Sequence, residues 1–301
     1  LFITAIFLIA VVAAAIYGPI SDYYTIKDAD PAMIALAKKS GMSRKGEILF
    51  LRTKPQLVYG AQFSKDCNTT FANNNGASIL GCYSIKTNRI YILLMPSNLY
   101  NVEVTTAAYE LLHPIYIDLS KTDSSSLNHA IEAGFSAVSN IPNSCTDDLP
   151  GQVALFAKTE PGSRDNELFS LLGTECNNLP ASLSKFYSPY FTDLQVNVSY
   201  NQQTNDLFQN DENQLSQLQN TINQYNDNAS IAYENSVGWA DIGNQSENSY
   251  YYNVYTQDID NANNAVDQYN SLVEQINLLI TAITGGQPVE NIQNIQSQSA
   301  Q

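Results

Sequence analysis

The chain has almost no histidine: two residues in 301, His113 and His129. A metal centre of three imidazoles is therefore excluded. Cations are also scarce and unevenly placed. Lys and Arg number 14 against 29 acidic residues, for a net charge of −15. The last cation is Lys185, and none follows from Phe186 to Gln301. So acidic a surface repels phosphate backbones, which excludes nucleic acid as a partner. No two of the four cysteines stand in CxxC spacing, so zinc-finger and thioredoxin-type chemistry find no support. The composition after Phe186 turns to Asn, Gln, Ser and Tyr, which marks a domain boundary.

The chain opens on a long apolar run, LFITAIFLIAVVAAAIYGP. Roughly seventeen apolar residues precede Gly18 and Pro19, a helix of about 25 Å against a hydrocarbon core of about 30 Å. This predicts an N-terminal transmembrane anchor. A buried core helix and a pilin-like assembly helix are the alternatives; the early acidic residue of a type IV pilin helix is missing. Four cysteines outside a membrane span point to disulfides and an exterior location. Local loops favour Cys67 with Cys82 and Cys145 with Cys176, among three possible pairings. Three Asn-x-Ser/Thr sequons, at Asn68, Asn197 and Asn228, fit the same location.

DADPAMIALAKKSGMS reads as a short helix, capped by Asp28 or Asp30 and stopped at Gly41. GEILFLRTKPQLV and ASILGCYSIKTNRIYILLMP carry strand signals, the second a hairpin around Lys86, Thr87 and Asn88. NVEVTTAAYELLHPIYIDLS, SSSLNHAIEAGFSAVSN and RDNELFSLLGTEC are helical, the last ending near Gly173. Farther on, Tyr255, Ile259, Ala262, Val266, Tyr269, Val273, Ile276, Ile280 and Ile283 alternate spacings of four and three. Phe208, Leu215, Leu218, Ile222, Tyr225, Ala229 and Ala232 keep the same rhythm. These two heptad seams predict an antiparallel helical hairpin, turning within SVGWADIGNQSEN near Gly238 and Gly243. Three consecutive tyrosines, Tyr250 to Tyr252, cannot all face one seam.

AAYELLHPIY, residues 107–116, is one letter from the HExxH helix of zinc proteases. That helix sets two imidazoles one turn apart with a Glu as general base. Glu110 and His113 stand in place, but Tyr109 occupies the first histidine's position. A phenol keeps its proton to about pH 10 and is a poor zinc ligand. Pro114 adds a helix-kinking residue beside His113. His129 is expected at the surface or satisfied in the core.

The ordered set KSGMSRKGEILFLRTKP, Cys67 to SILGCYS, VEVTTAAYELLHPIY, NELFSLLGTE and LPASLSKFYSPYF, followed by the heptads, resembles a family of membrane-anchored zinc-peptidase-like proteins of candidate-phyla (Saccharibacteria-type) bacteria. The resemblance implies an α+β fold: a zincin-like domain of a few-stranded sheet plus helices, an N-terminal transmembrane helix and a C-terminal hairpin. It places the motif base on Glu110 and the second histidine on His113. Tyr109 and Phe169 stand where histidines would be, and Glu167 and Glu175 fall on the downstream carboxylates. The expected organisation is an anchor at 1–19, the zincin-like domain at 20–197, the hairpin at 198–286 and a polar disordered tail at 287–301. The expected function is a non-catalytic, membrane-anchored cell-surface protein with a vestigial site and no cofactor, acting through a protein partner or self-assembly. A pilin-like filament subunit is one alternative. The other is a zinc metallopeptidase with an altered ligand set of Glu110, His113 and Glu167 or Glu175.

Overall fold

The computed structural model describes residues 20–67, 79–139, 141–146, 148–159, 162–283 and 292–297. Among them 75 % are helical and 6 % are strand, so the expected α+β class is corrected to a helical fold with one small sheet. The expected transmembrane span, 1–19, lies outside the described residues. Among those described, no helix is long and apolar enough to cross a membrane.

The largest error in the strand reading is at GEILFLR, where the chain is helical. After helix α1 (residues 20–27) come α2 (Pro31–Lys39) and α3 (Arg44–Arg52). Asp30 caps α2, its Oδ1 accepting the Ala32 N–H at 2.8 Å. Gly41 then takes a left-handed φ of 71°. Ser43 caps α3 by accepting the Gly46 N–H. Gly46, Glu47, Phe50 and Leu51 are buried along one helical face, a period of three to four that the apolar run ILFL conceals. Thr53 ends the helix, and Lys54 at φ 48° with Pro55 redirects the chain.

Strand β1 (Gln56–Val58) and helix α4 (Gly60–Cys67) follow, then β2 (Gly81–Ser84) and β3 (Arg89–Leu93). The sheet order is β1-β3-β2, with β1 parallel and β2 antiparallel to β3. Asn88 supplies the positive φ that the β2–β3 turn needs. A 3-10 turn leads into α5 (Tyr100–Val138), a 39-residue element whose interior leaves helical geometry at Asp123 and not at Pro114. Then come α6 (Leu149–Thr159), α7 (Arg164–Glu175) and α8 (Ala181–Tyr187).

Helix α5 packs on β2 and β3 and on α7. Their contact forms the core: Ile90, Ile92, Val104, Leu111, Leu112, Ile115, Leu168, Phe169 and Leu172 are all buried. Gly173 permits this approach, since a Cβ there would meet Leu112 Cδ1 at 2.8 Å. Two disulfides close local loops, Cys67–Cys82 and Cys145–Cys176. Among the described residues no cysteine is free. They mark an oxidising, extracytoplasmic environment. The sequon at Asn197 is not a surface site. Its side chain is fully buried and donates to the Ser40 and Leu194 carbonyls.

Helices α9 (Gln195–Asp241) and α10 (Gln245–Ile283) follow. A second compact unit begins at Asp206, within α9, and includes 292–297. The turn between the helices uses Gly243 at φ 76°, while Gly238 stays within α9. Ile222, Ala229, Ala232, Tyr255, Ile259, Ala262, Val266, Val273 and Ile276 are buried, and Tyr269 and Ile280 half-buried, along the two seams. Residues 292–297 depart from the expected disordered tail: they hold hydrogen bonds to α10.

Candidate functional site

Helix α5 presents Thr106, Tyr109, Glu110 and His113 on one face. Helix α7 answers with Asn166, Glu167, Ser170 and Thr174. Both sets follow from helical spacing, in which residues three and four apart are neighbours. Together with the edge strand β2, all of these but the fully buried Ser170 line a cavity of about 640 Å3. Gly81 of β2 admits Glu110, since a Cβ there would stand 2.7 Å from Glu110 Cγ and 2.5 Å from Thr106 Cγ2.

The cavity floor is a polar cluster. The Tyr109 hydroxyl donates to Glu167 Oε2 at 2.6 Å. The Tyr109 ring meets His113 edge-on, centroids 5.2 Å apart. His113 Nδ1 lies 3.1 Å from Asn166 Oδ1, 3.5 Å from Ser170 Oγ and 3.8 Å from Glu167 Oε1. Its Nε2 lies 3.6 Å from Glu110 Oε2. Glu110, His113 and Glu167 are all buried, with 3 %, 8 % and 7 % exposure. Glu175 lines another part of the cavity and accepts a 3.1 Å hydrogen bond from Gln152 Nε2.

The sequence candidates therefore divide. Tyr109, Glu110, His113 and Glu167 meet, and Glu175 shares their cavity. Phe169 does not join them. It is fully buried, stacked on Tyr187 at 4.5 Å and tilted against Tyr116 at 6.0 Å. His129 is exposed on α5. Asn166, Ser170, Gln152 and Gly81 are site residues that the sequence reading missed. The signal for the first two was there: they stand four apart on the α7 face that carries Glu167.

Zinc hydrolysis needs three protein donors and an open position for water. Tyr109 does not supply one of them. Burial, and then the Glu167 carboxylate, push the Tyr109 phenol well above its ordinary value near 10. It keeps its proton and offers no anionic oxygen. Among the described residues no three His, Cys, Asp or Glu side chains are grouped as metal ligands. What remains is one imidazole among carboxylates in a cavity that, among the described residues, no Lys or Arg lines. No family model, curated protein or solved structure matches the chain.

Proposed function

We propose that this is a non-catalytic extracytoplasmic protein that works by binding or assembly and keeps a metallopeptidase-type helix as a scaffold. One observation carries the reading: the Tyr109 hydroxyl donates to Glu167 at 2.6 Å. In a zinc site a carboxylate at that place would be satisfied by the metal. Here a phenolic proton supplies the positive end, and His113 is held by Asn166 and Ser170 on the same side. Tyr109, Glu167 and His113 are thus held by protein groups. The cavity above it keeps apolar walls, with Leu80, Leu155, Phe156 and Leu171 among them. Outside it, Tyr250 and Tyr252 expose amphipathic rings suited to protein contact.

Elemental mass spectrometry on the full chain, purified without chelator or metal-affinity resin, tests the reading. The expected result is no stoichiometric zinc in the native protein and zinc uptake by Tyr109→His. Phe169→His adds nothing, because residue 169 faces Tyr116 and Tyr187. Near-stoichiometric zinc in the native protein, lost in His113→Ala, overturns it and favours a hydrolase with an altered ligand set.

A further inference from the structure

Residues 291–296 read Asn-Ile-Gln-Asn-Ile-Gln, an isoleucine at every third position. Residues 292–297 form neither helix nor strand. Two asparagines of α10 grip them through the main chain. Asn277 Nδ2 donates to the Ile292 carbonyl at 3.0 Å, and Asn277 Oδ1 accepts the Ile292 N–H at 3.0 Å. Asn270 does the same at Ile295, with both bonds 2.9 Å. A primary amide carries one donor and one acceptor side by side, so each asparagine pairs with one residue's N–H and C=O as a neighbouring strand would.

The spacing is matched. Seven residues of helix advance about 10.5 Å. Three residues of extended chain advance about 9–10 Å. The rungs at 277 and 270 therefore meet 292 and 295 in turn, and the segment runs opposite to α10. Ile295 packs with Ile222, Ala265, Val266 and Tyr269, while Gln293, Asn294, Gln296 and Ser297 are exposed. The rungs read backbone, and the groove takes the Ile295 side chain. Nothing in this arrangement requires the segment to belong to the same copy.

We propose that the hairpin unit is a receptor for extended Ile-x-x-Ile segments, and that the C-terminal segment of a second copy is the ligand it takes in trans. Every copy carries both the two-asparagine ladder and a segment that fits it. Exchange makes the same four hydrogen bonds and the same isoleucine contact, so occupancy in cis or in trans is decided by effective concentration. The segment 291–297 is uncharged, so inserting it adds no charge to a partner already at −15. This inference deepens the assembly reading. It does not depend on the state of Tyr109, and its test touches no residue of that cluster.

The test uses two full-length variants. The acceptor, Ile292→Asp/Ile295→Asp, keeps the ladder and loses the tail. The donor, Asn270→Asp/Asn277→Asp, keeps the tail and replaces each amide by a carboxylate of the same shape that cannot donate. Sedimentation of each alone shows monomer, and an equal mixture shows a 1:1 complex. A fluorescent peptide of residues 290–298 binds the acceptor at least tenfold tighter than the native chain, whose own segment competes. Binding is lost when the two asparagine changes are added to the acceptor. Equal peptide affinity for acceptor and native chain, with helicity unchanged, overturns the receptor. Peptide binding without a complex in the mixture overturns the second copy as ligand. If the aspartates unfold the hairpin, Ile292→Ser/Ile295→Ser serves as acceptor in the same assays.

Discussion

Tyr109→Phe removes one oxygen and tests the central claim about the site. The lost bond is 2.6 Å long and ends on a carboxylate that is 7 % exposed. Hydrogen bonds to charged groups contribute about 1.5–3 kcal/mol, and stranding the buried acceptor adds to the loss. The expected cost is about 2–3 kcal/mol. For a unit of this size that lowers Tm by about 5–10 °C. The assay is urea unfolding followed by circular dichroism, with unchanged m confirming that the unfolding unit is the same. Glu167→Leu alone leaves the Tyr109 hydroxyl and His113 without their carboxylate. The Tyr109→Phe/Glu167→Leu pair replaces both partners with apolar groups and should cost less than the two single losses summed, with a coupling of about 1–3 kcal/mol. A Tyr109→Phe loss below about 0.5 kcal/mol, or strict additivity with Glu167→Leu, refutes the view that a phenolic proton holds this cluster together.

Gly81→Ala should cost about 1–3 kcal/mol by overpacking, because its Cβ would collide with Thr106 and the Glu110 stem; unfolding in urea measures it. Cys145→Ser/Cys176→Ser should cost about 3–4 kcal/mol and Cys67→Ser/Cys82→Ser about 3 kcal/mol, from loop separations of 31 and 15 residues. Equal or inverted costs in non-reducing melts would count against loop closure as the cause. Burial raises the Glu103 carboxyl above its ordinary value even though its Oε1 accepts the Met95 N–H at 2.7 Å. The folded state then binds that proton more tightly than the unfolded one, so stability falls as pH climbs from the ordinary carboxylate value through the raised one. Glu103→Gln should melt higher than the native chain at pH 7–8, the gain disappearing in acid; a gain that persists at pH 4 would mean another cause.

Much of the local grammar was legible before any fold. Asp30, Gly41, Asn88 and Gly243 act through their own backbone angles and nearest neighbours, so they could be read from short windows of sequence. The heptad seams were legible for the same reason: Ile259, Val266, Val273 and Ile276 repeat at helical spacing, and each must be covered. GEILFLR was misread because a run of four apolar residues satisfies both periods, and Ser43 as cap with Glu47 following it decides for helix. Glu110, His113 and Glu167 could be singled out by chemical type, yet 53 residues lie between the last two. Only packing of α5 on α7 shows that Glu167 meets Tyr109, that Phe169 turns toward Tyr187, and that Asn166 and Ser170 hold the imidazole. The Asn270 and Asn277 rungs were invisible for a related reason. In so Asn-rich a chain, an asparagine gains meaning only from the strand-like segment laid across it. Sequence by itself determined the elements whose causes are local, and tertiary structure decided the contacts whose partners are distant, because only the folded chain fixes what each side chain must satisfy.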